Sequence, residues 1–117
     1  MITAVGCDVE EISRFENKKD AFLKRIYTPA ELDYCLSKKF PAKHLAVRYC
    51  AKEAVVKALF SLGIKNVFYA DIDVVRAENG VPSIKLLKNI ETNIDFSVSL
   101  SHSKTTAMAV VFACIGK

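Results

Sequence analysis

Glu53 and Lys57 stand four residues apart in a segment otherwise built for burial, Tyr49-Cys50-Ala51-Lys52-Glu53-Ala54-Val55-Val56-Lys57-Ala58-Leu59-Phe60. Its composition is helical, and on a helix residues four apart share a face. Ionised groups beside a core are costly unless they pair, hold a metal or meet a charged substrate. Two readings of this pair therefore stand: a helical ion pair next to the core, or a carboxylate and an amine lining a site that handles charge. Two further islands carry comparable groups. Gly6-Cys7-Asp8-Val9-Glu10-Glu11-Ile12-Ser13-Arg14 places acids near the N-terminus, and Ser99-Leu100-Ser101-His102-Ser103 places a histidine among hydroxyls. Taken singly, Asp8 can start a helix and His102 can cap a strand end.

The elements that must position these groups are legible in outline. Ile2 to Val5 reads as a short strand ended by Gly6, leaving Asp8 just past the strand end, where loops carry function. Glu10 to Asn17 fits a short helix. Thr28-Pro29-Ala30-Glu31 is a helix start with a capping box and proline at the first position, and that helix runs to about Ser37. After Lys38-Lys39-Phe40-Pro41 a longer helix, from about Ala42 to Leu62, carries Glu53 and closes at Gly63. Asp71 to Arg76 is β-like, Asn79-Gly80 signals a turn, and Pro82 to Leu86 returns as its partner. Phe96, Val98 and Leu100 alternate with Ser97, Ser99 and Ser101, and Ala107 to Ile115 supplies an apolar partner strand. Helices before strands, joined by hairpins, predict an α+β fold in which a long helix packs on a largely antiparallel sheet. No linker, repeat or low-complexity tract interrupts the chain, so residues 1–117 read as one domain.

With 117 residues the chain can build one core but is short for an enzyme that makes a whole active site alone, so an oligomer is expected. At 51% hydrophobic and 26% charged residues it has the profile of a folded protein. The net charge is +4, with basic residues gathered in Lys18-Lys19, Lys24-Arg25, Lys38-Lys39 and Lys43, which suits an acidic partner or a phosphorylated ligand. Nucleic acid is disfavoured, because no dense basic run is interleaved with aromatics. Cys7, Cys35, Cys50 and Cys114 form no close pair and do not join His44 or His102 at zinc-ligand spacing. The N-terminus lacks the pattern of a signal peptide and no apolar run is long enough to span a bilayer, so a cytoplasmic protein with reduced thiols is expected.

In this order the three islands resemble the three signatures of the 4′-phosphopantetheinyl transferases, and Phe22 to Leu32 is similar to that family's linking segment. The resemblance covers most of the chain. It implies transfer of 4′-phosphopantetheine from coenzyme A to a serine of an apo acyl carrier protein of fatty-acid synthesis, with release of adenosine 3′,5′-bisphosphate. It implies Mg²⁺ held by Asp8 and Glu53, a ligand number that suits a cation reluctant to shed its waters. Lys57 is then expected to bind a diphosphate oxygen and to stabilise or protonate the leaving phosphate. Asp8, Glu53 and Lys57 make up the expected catalytic set. The base that takes the serine proton stays open between Glu53 and a metal-bound water.

For coenzyme A, the resemblance assigns Lys57, His102 on the phosphates with Ser101 beside it, and Gly80 and Pro82 as shapers of the pocket. Arg48 has two readings, a contact to the 3′-phosphate or a solvated surface arginine. Lys52 is expected to point away from Glu53 as ordinary surface charge. Arg14, Phe22 and Arg25 match carrier-docking positions, where basic charge would speed encounter with an acidic helical bundle. Lys18, Lys19 and Lys24 are read as solvated charge. The chain departs from the family pattern at Val47, at Tyr49-Cys50, at Cys7, and at Val81, where the turn commonly carries a basic residue. The resemblance also implies a homotrimer with coenzyme A in clefts between subunits, and the apolar hairpins of the second half are the expected contact. Two other classes remain beside this one. A metal-dependent nucleotide phosphoesterase would act without a carrier, and a non-catalytic carrier-binding module would be indifferent to Glu53→Gln.

Overall fold

Small side chains set the closest approach in this molecule. The computed structural model describes residues 1–116. The chain forms β1 (Ile2–Glu11), a 3-10 turn (Ile12–Phe15), α1 (Asp20–Ile26), α2 (Pro29–Leu36), α3 (Pro41–Ser61), a second 3-10 turn (Tyr69–Asp71), β2 (Ile72–Arg76), β3 (Pro82–Leu86), β4 (Ile94–His102) and β5 (Thr106–Ile115). β1, β5 and β4 make an antiparallel sheet with β5 central, and β2 and β3 make a separate hairpin. The α+β architecture with a long helix on an antiparallel sheet is as expected. α3 lies on the sheet through Ala46, Cys50, Ala51, Ala54 and Ala58, which meet Ala107, Ala109, Val111 and Ala113 of β5, all buried.

β1 is longer than the sequence suggested. Gly6 does not end it, because its glycine answers a different demand: a Cβ there would lie 1.9 Å from the Ala54 carbonyl oxygen, inside the α3 backbone. The strand passes through and pairs with β5 from Ile2 opposite Ile115 to Glu11 opposite Thr106. Asp8 is therefore inside a strand, not in a loop beyond one. The helix expected over Glu10–Asn17 shrinks to the four-residue 3-10 turn, because Glu10 and Glu11 are already committed to the sheet.

α2 begins as predicted. The Glu31 amide donates to the Thr28 hydroxyl at 3.2 Å, and the Thr28 amide donates to Glu31 Oε1 at 2.8 Å. Glu31 does more than cap. Its Oε1 lies 2.8 Å from the Lys52 ammonium, and its Oε2 accepts the Val74 amide at 2.7 Å. Lys52, expected as surface charge, is fully buried and also donates to the carbonyls of Tyr69, at 2.9 Å, and Ile72. The physical reason is its place one helical turn after Arg48, on the side of α3 that faces α2 and β2 instead of solvent. Desolvation pulls the Lys52 pKa down and the Glu31 carboxylate opposes it. This ion pair ties α2, α3 and β2 together.

Candidate active site

The strand period puts Asp8 and Glu10 on the same side of β1, the side that faces α3, opposite the buried Ala109 and Ala107. From α3, Lys57 Nζ donates to the Cys7 carbonyl at 3.0 Å and to Asp8 Oδ1 at 3.4 Å. Lys57 is thus bonded across to β1. Slight desolvation works against its charge, but the Asp8 hydrogen bond and the charges of Asp8 and Glu53 hold its pKa above the ordinary lysine value. Glu53 approaches the same cluster and has the Tyr49 hydroxyl 3.4 Å from its Oε2. Glu10 completes it. Burial, then hydrogen bonding to Asp8 and the charge of Asp8, push the Glu10 carboxyl up to about 7, with Arg14 opposing and Glu53 adding to the rise.

This half of the site fits a hard divalent cation. Asp8 Oδ2 is buried and has no hydrogen-bond partner among the described residues, so one oxygen of a carboxylate whose other oxygen meets Lys57 is left desolvated and unbonded. No group of three or more histidine, cysteine or acidic side chains among the described residues has metal-holding geometry. Two carboxylates, Asp8 and Glu53, with water and phosphate oxygens for the remaining positions, match the habit of Mg²⁺.

The second half is cationic. A cleft of about 400 Å³ opens between α3, β4 and the β2–β3 turn, and Lys43, His44, Arg48, Arg76 and His102 all line it. Its described lining contains no carboxylate. Arg48 is 4% exposed, which disposes of the solvated reading: its guanidinium lies over the Tyr34 ring at 4.4 Å, and Nη1 donates to the His44 carbonyl at 3.3 Å. The His44 pKa falls below the usual histidine value, first through burial and then through the positive charges of Lys43, Arg48, Lys38 and Arg76. Such a concentration of unneutralised cation in a cleft is an anion site. Gly80, Pro82 and Ser101 complete the wall, with Gly80 in the left-handed region at φ +86°. His102, at the end of β4, has Nδ1 3.3 Å from the Ser103 carbonyl oxygen.

Asp8, Glu53 and Lys57 thus come together, as do Arg48, Gly80, Pro82, Ser101 and His102, but the two sets do not share a pocket. On a helix of 3.6 residues per turn, Arg48 and Glu53 point about 140° apart, and the width of α3 stands between the halves. Phe22 and Arg25 lie elsewhere, on α1, while Arg14, on the 3-10 turn, borders the acidic half through Glu10. Arg14 is exposed and paired with Glu10, and Phe22 is half-buried with the Lys18 ammonium 5.0 Å above its ring.

Sequence reasoning passed over Arg76 and Tyr49 as site residues and weighed Glu10 only as a third acid that the metal does not require. Each had a signal. The Asn79-Gly80 turn puts Arg76 opposite Pro82, beside the expected pocket wall. Tyr49 is one helical turn before Glu53, and Glu10 is one strand repeat after Asp8.

Residues 4–113 match the model of the 4′-phosphopantetheinyl transferase superfamily. The holo-[acyl-carrier-protein] synthase of Geobacter sp. (strain M21) is 38% identical, over 95% of this chain and 97% of that protein. The holo-[acyl-carrier-protein] synthase of Caldicellulosiruptor saccharolyticus is 42% identical, over 97% of each. Among solved structures, a holo-(acyl-carrier-protein) synthase from Bacillus anthracis in complex with CoA (3′,5′-ADP) superposes with a TM-score of 0.78 at 31% identity over 94% of both chains.

Proposed function

This chain belongs to the 4′-phosphopantetheinyl transferase superfamily, and we propose that it transfers 4′-phosphopantetheine from coenzyme A to a serine of apo acyl carrier protein, releasing adenosine 3′,5′-bisphosphate and giving holo carrier for fatty-acid synthesis. All 117 residues act as one transferase domain. The observation that carries the reading is the division of labour across α3, with a carboxylate cluster holding an unpartnered buried oxygen on one side and an acid-free cationic cleft on the other. Coenzyme A needs both, since its diphosphate must be split beside a cation while its 3′-phosphate is held elsewhere.

The residues divide the work as follows. Asp8 and Glu53 would hold Mg²⁺, which when bound would neutralise the diphosphate and make its phosphorus open to attack. Lys57, fixed by Asp8 and Cys7, directs its ammonium to a diphosphate oxygen and offsets the charge of the leaving phosphate. Arg48 and Arg76 take the 3′-phosphate, His102 and Ser101 contact the remaining phosphates, and Gly80 and Pro82 shape the wall. Arg76 supplies the positive charge that the turn lacks at Val81. The serine proton passes either to Glu53 or to a water at the metal site.

The carrier docks on the basic outer side of α1 through Arg14, Phe22 and Arg25. A groove of about 1090 Å³ lies beside these residues without being lined by them: Ile12, Phe15, Leu23, Lys18, Lys39 and Lys104 are among its walls, and it shares Lys43 and His102 with the cationic cleft. The active assembly is a homotrimer, in which the acidic half of one subunit faces the cationic half of the next. The sheet supports it, because its face away from α3 exposes Val5, Val9, Met108, Val110 and Phe112. That face takes in β1 as well as the second-half hairpin first considered. No helix among the described residues is long and apolar enough to cross a membrane, and we place the protein in the cytoplasm, where the free Cys7, Cys35, Cys50 and Cys114 stay reduced.

Intact-mass analysis of apo acyl carrier protein incubated with this protein, coenzyme A and Mg²⁺ tests the reading. The expected result is a gain of one phosphopantetheine that chelator and Glu53→Gln both abolish. Consumption of coenzyme A without that gain would overturn the transferase in favour of a hydrolase.

A further inference from the structure

We propose that Tyr49 is a positioning residue for the metal site: its hydroxyl holds one oxygen of Glu53, so that the other is presented to the cation beside Asp8. The proposal rests on the reading of Glu53 as a magnesium ligand and deepens it.

A glutamate on a helix has three rotatable side-chain bonds, and its carboxylate must give up that freedom before it can ligate a metal. Glu53 is only half-buried, so packing alone does not fix it. Tyr49 stands one turn earlier on the same face of α3, with its hydroxyl 3.4 Å from Glu53 Oε2. An ionised carboxylate only accepts hydrogen bonds, so the phenol is the donor, and Oε1 is left for the cation.

The phenol is itself held. Its ring lies between Phe15, at a centroid distance of 5.2 Å, and Tyr69, at 5.5 Å, both tilted against it. Tyr69 is anchored in turn, because its carbonyl accepts from the buried Lys52 ammonium. A chain of contacts therefore runs from the Glu31–Lys52 ion pair through Tyr69 and Tyr49 to the Glu53 carboxylate. Partners that orient a metal ligand from behind set its affinity, and losing one costs about 10–100-fold. At 3.4 Å the contact is longer than the usual O–H···O bond of about 2.5–3.0 Å, so the lower figure applies here.

Tyr49→Phe keeps the ring and both aromatic contacts while deleting only the donor. Mn²⁺ binding to the purified metal-free protein, followed by the electron paramagnetic resonance of the free ion, should weaken about tenfold with the unfolding temperature unchanged. In the transferase assay the half-saturating Mg²⁺ concentration should rise by a similar factor, while kcat at saturating Mg²⁺ and KM for coenzyme A stay at wild-type values. A merely structural tyrosine would lower the unfolding temperature and leave the metal dependence alone. Glu53→Gln is the control. If it weakens Mn²⁺ binding and Tyr49→Phe does not, the positioning role is wrong and the metal site stands. Should Glu53→Gln bind Mn²⁺ like the wild type, the ligand assignment falls and takes the Tyr49 proposal with it.

Discussion

Glu10 shows how far a single side chain can be moved by its neighbours. It shares the α3-facing side of β1 with Asp8, lies near Glu53, and keeps Arg14 as its counter-charge. Its carboxyl is raised from 4.5 to about 7, so between those values the folded state holds a proton that the unfolded chain has already released. Stability must then fall as pH rises through that window, because the native state binds the extra proton. Glu10→Gln, which stays neutral, should gain in unfolding temperature relative to the wild type as pH goes from about 5 to about 8 in chelator, and calorimetry reads the difference directly. Mg²⁺ should shrink that gain, since a cation at Asp8 and Glu53 favours the ionised form of Glu10. A difference independent of pH would place Glu10 outside the cluster. Neither the size of this shift nor the burial of Lys52 was legible in the sequence, for one reason. Both follow from which side of an element faces which neighbour, and α3 is apolar on nearly every side, so its pattern names no outward face.

The elements themselves were easier to read where local chemistry decides them. The Thr28–Glu31 capping box, the Asn79-Gly80 turn and the Ser-alternating strand β4 all occur where the sequence put them, because caps, turns and period-two burial act within a few residues. β1 was misjudged because glycine has two uses, and its second use, close approach of a backbone, depends on α3 lying across it. That contact sets the spacing between the strand that carries Asp8 and the helix that carries Glu53. Gly6→Ala forces α3 away from β1, since the new methyl would meet backbone and not a movable side chain, and should cost about 3 kcal/mol or more in denaturant unfolding. It should also weaken metal binding although residue 6 touches no metal ligand. The Glu31–Lys52 pair braces the other side of α3. Lys52→Met leaves a buried carboxylate without its partner and should cost about 3–5 kcal/mol. Glu31→Gln added to it should cost much less than the two single changes summed, because the charge left uncompensated by each is removed by the other. Strict additivity in that cycle would mean the ion pair is not the link between α2, α3 and β2.

At the scale of the whole molecule the strand β5 is inverted: its small residues, Ala107, Ala109 and Ala113, face the core, and its large ones, Met108, Val110 and Phe112, face outward with Phe112 47% exposed. Small residues inside let α3 approach, and large apolar residues outside are costly to leave in water over a continuous sheet face. The same design splits the chemistry, since α3 keeps the carboxylates and the cationic cleft of one chain apart. In the proposed trimer, covering the sheet face and completing the site are one requirement, met when a second copy brings its cleft to the first copy's carboxylates. This makes a sharp prediction for mixed assemblies. Glu53→Gln ruins only the acidic half and His102→Ala only the cationic half, so each variant alone should be nearly inactive. Co-expressed in equal amounts and assembled at random, they should recover activity in about one site in four, because a good site needs the acidic half from one variant and the cationic half from the other. Were both halves of each site drawn from one chain, every site would carry one lesion and mixing would restore nothing. Phe112→Asp should abolish the recovery by separating the subunits, which light scattering would register as monomers, and loss of trimer with activity intact would refute the coupling of assembly to catalysis.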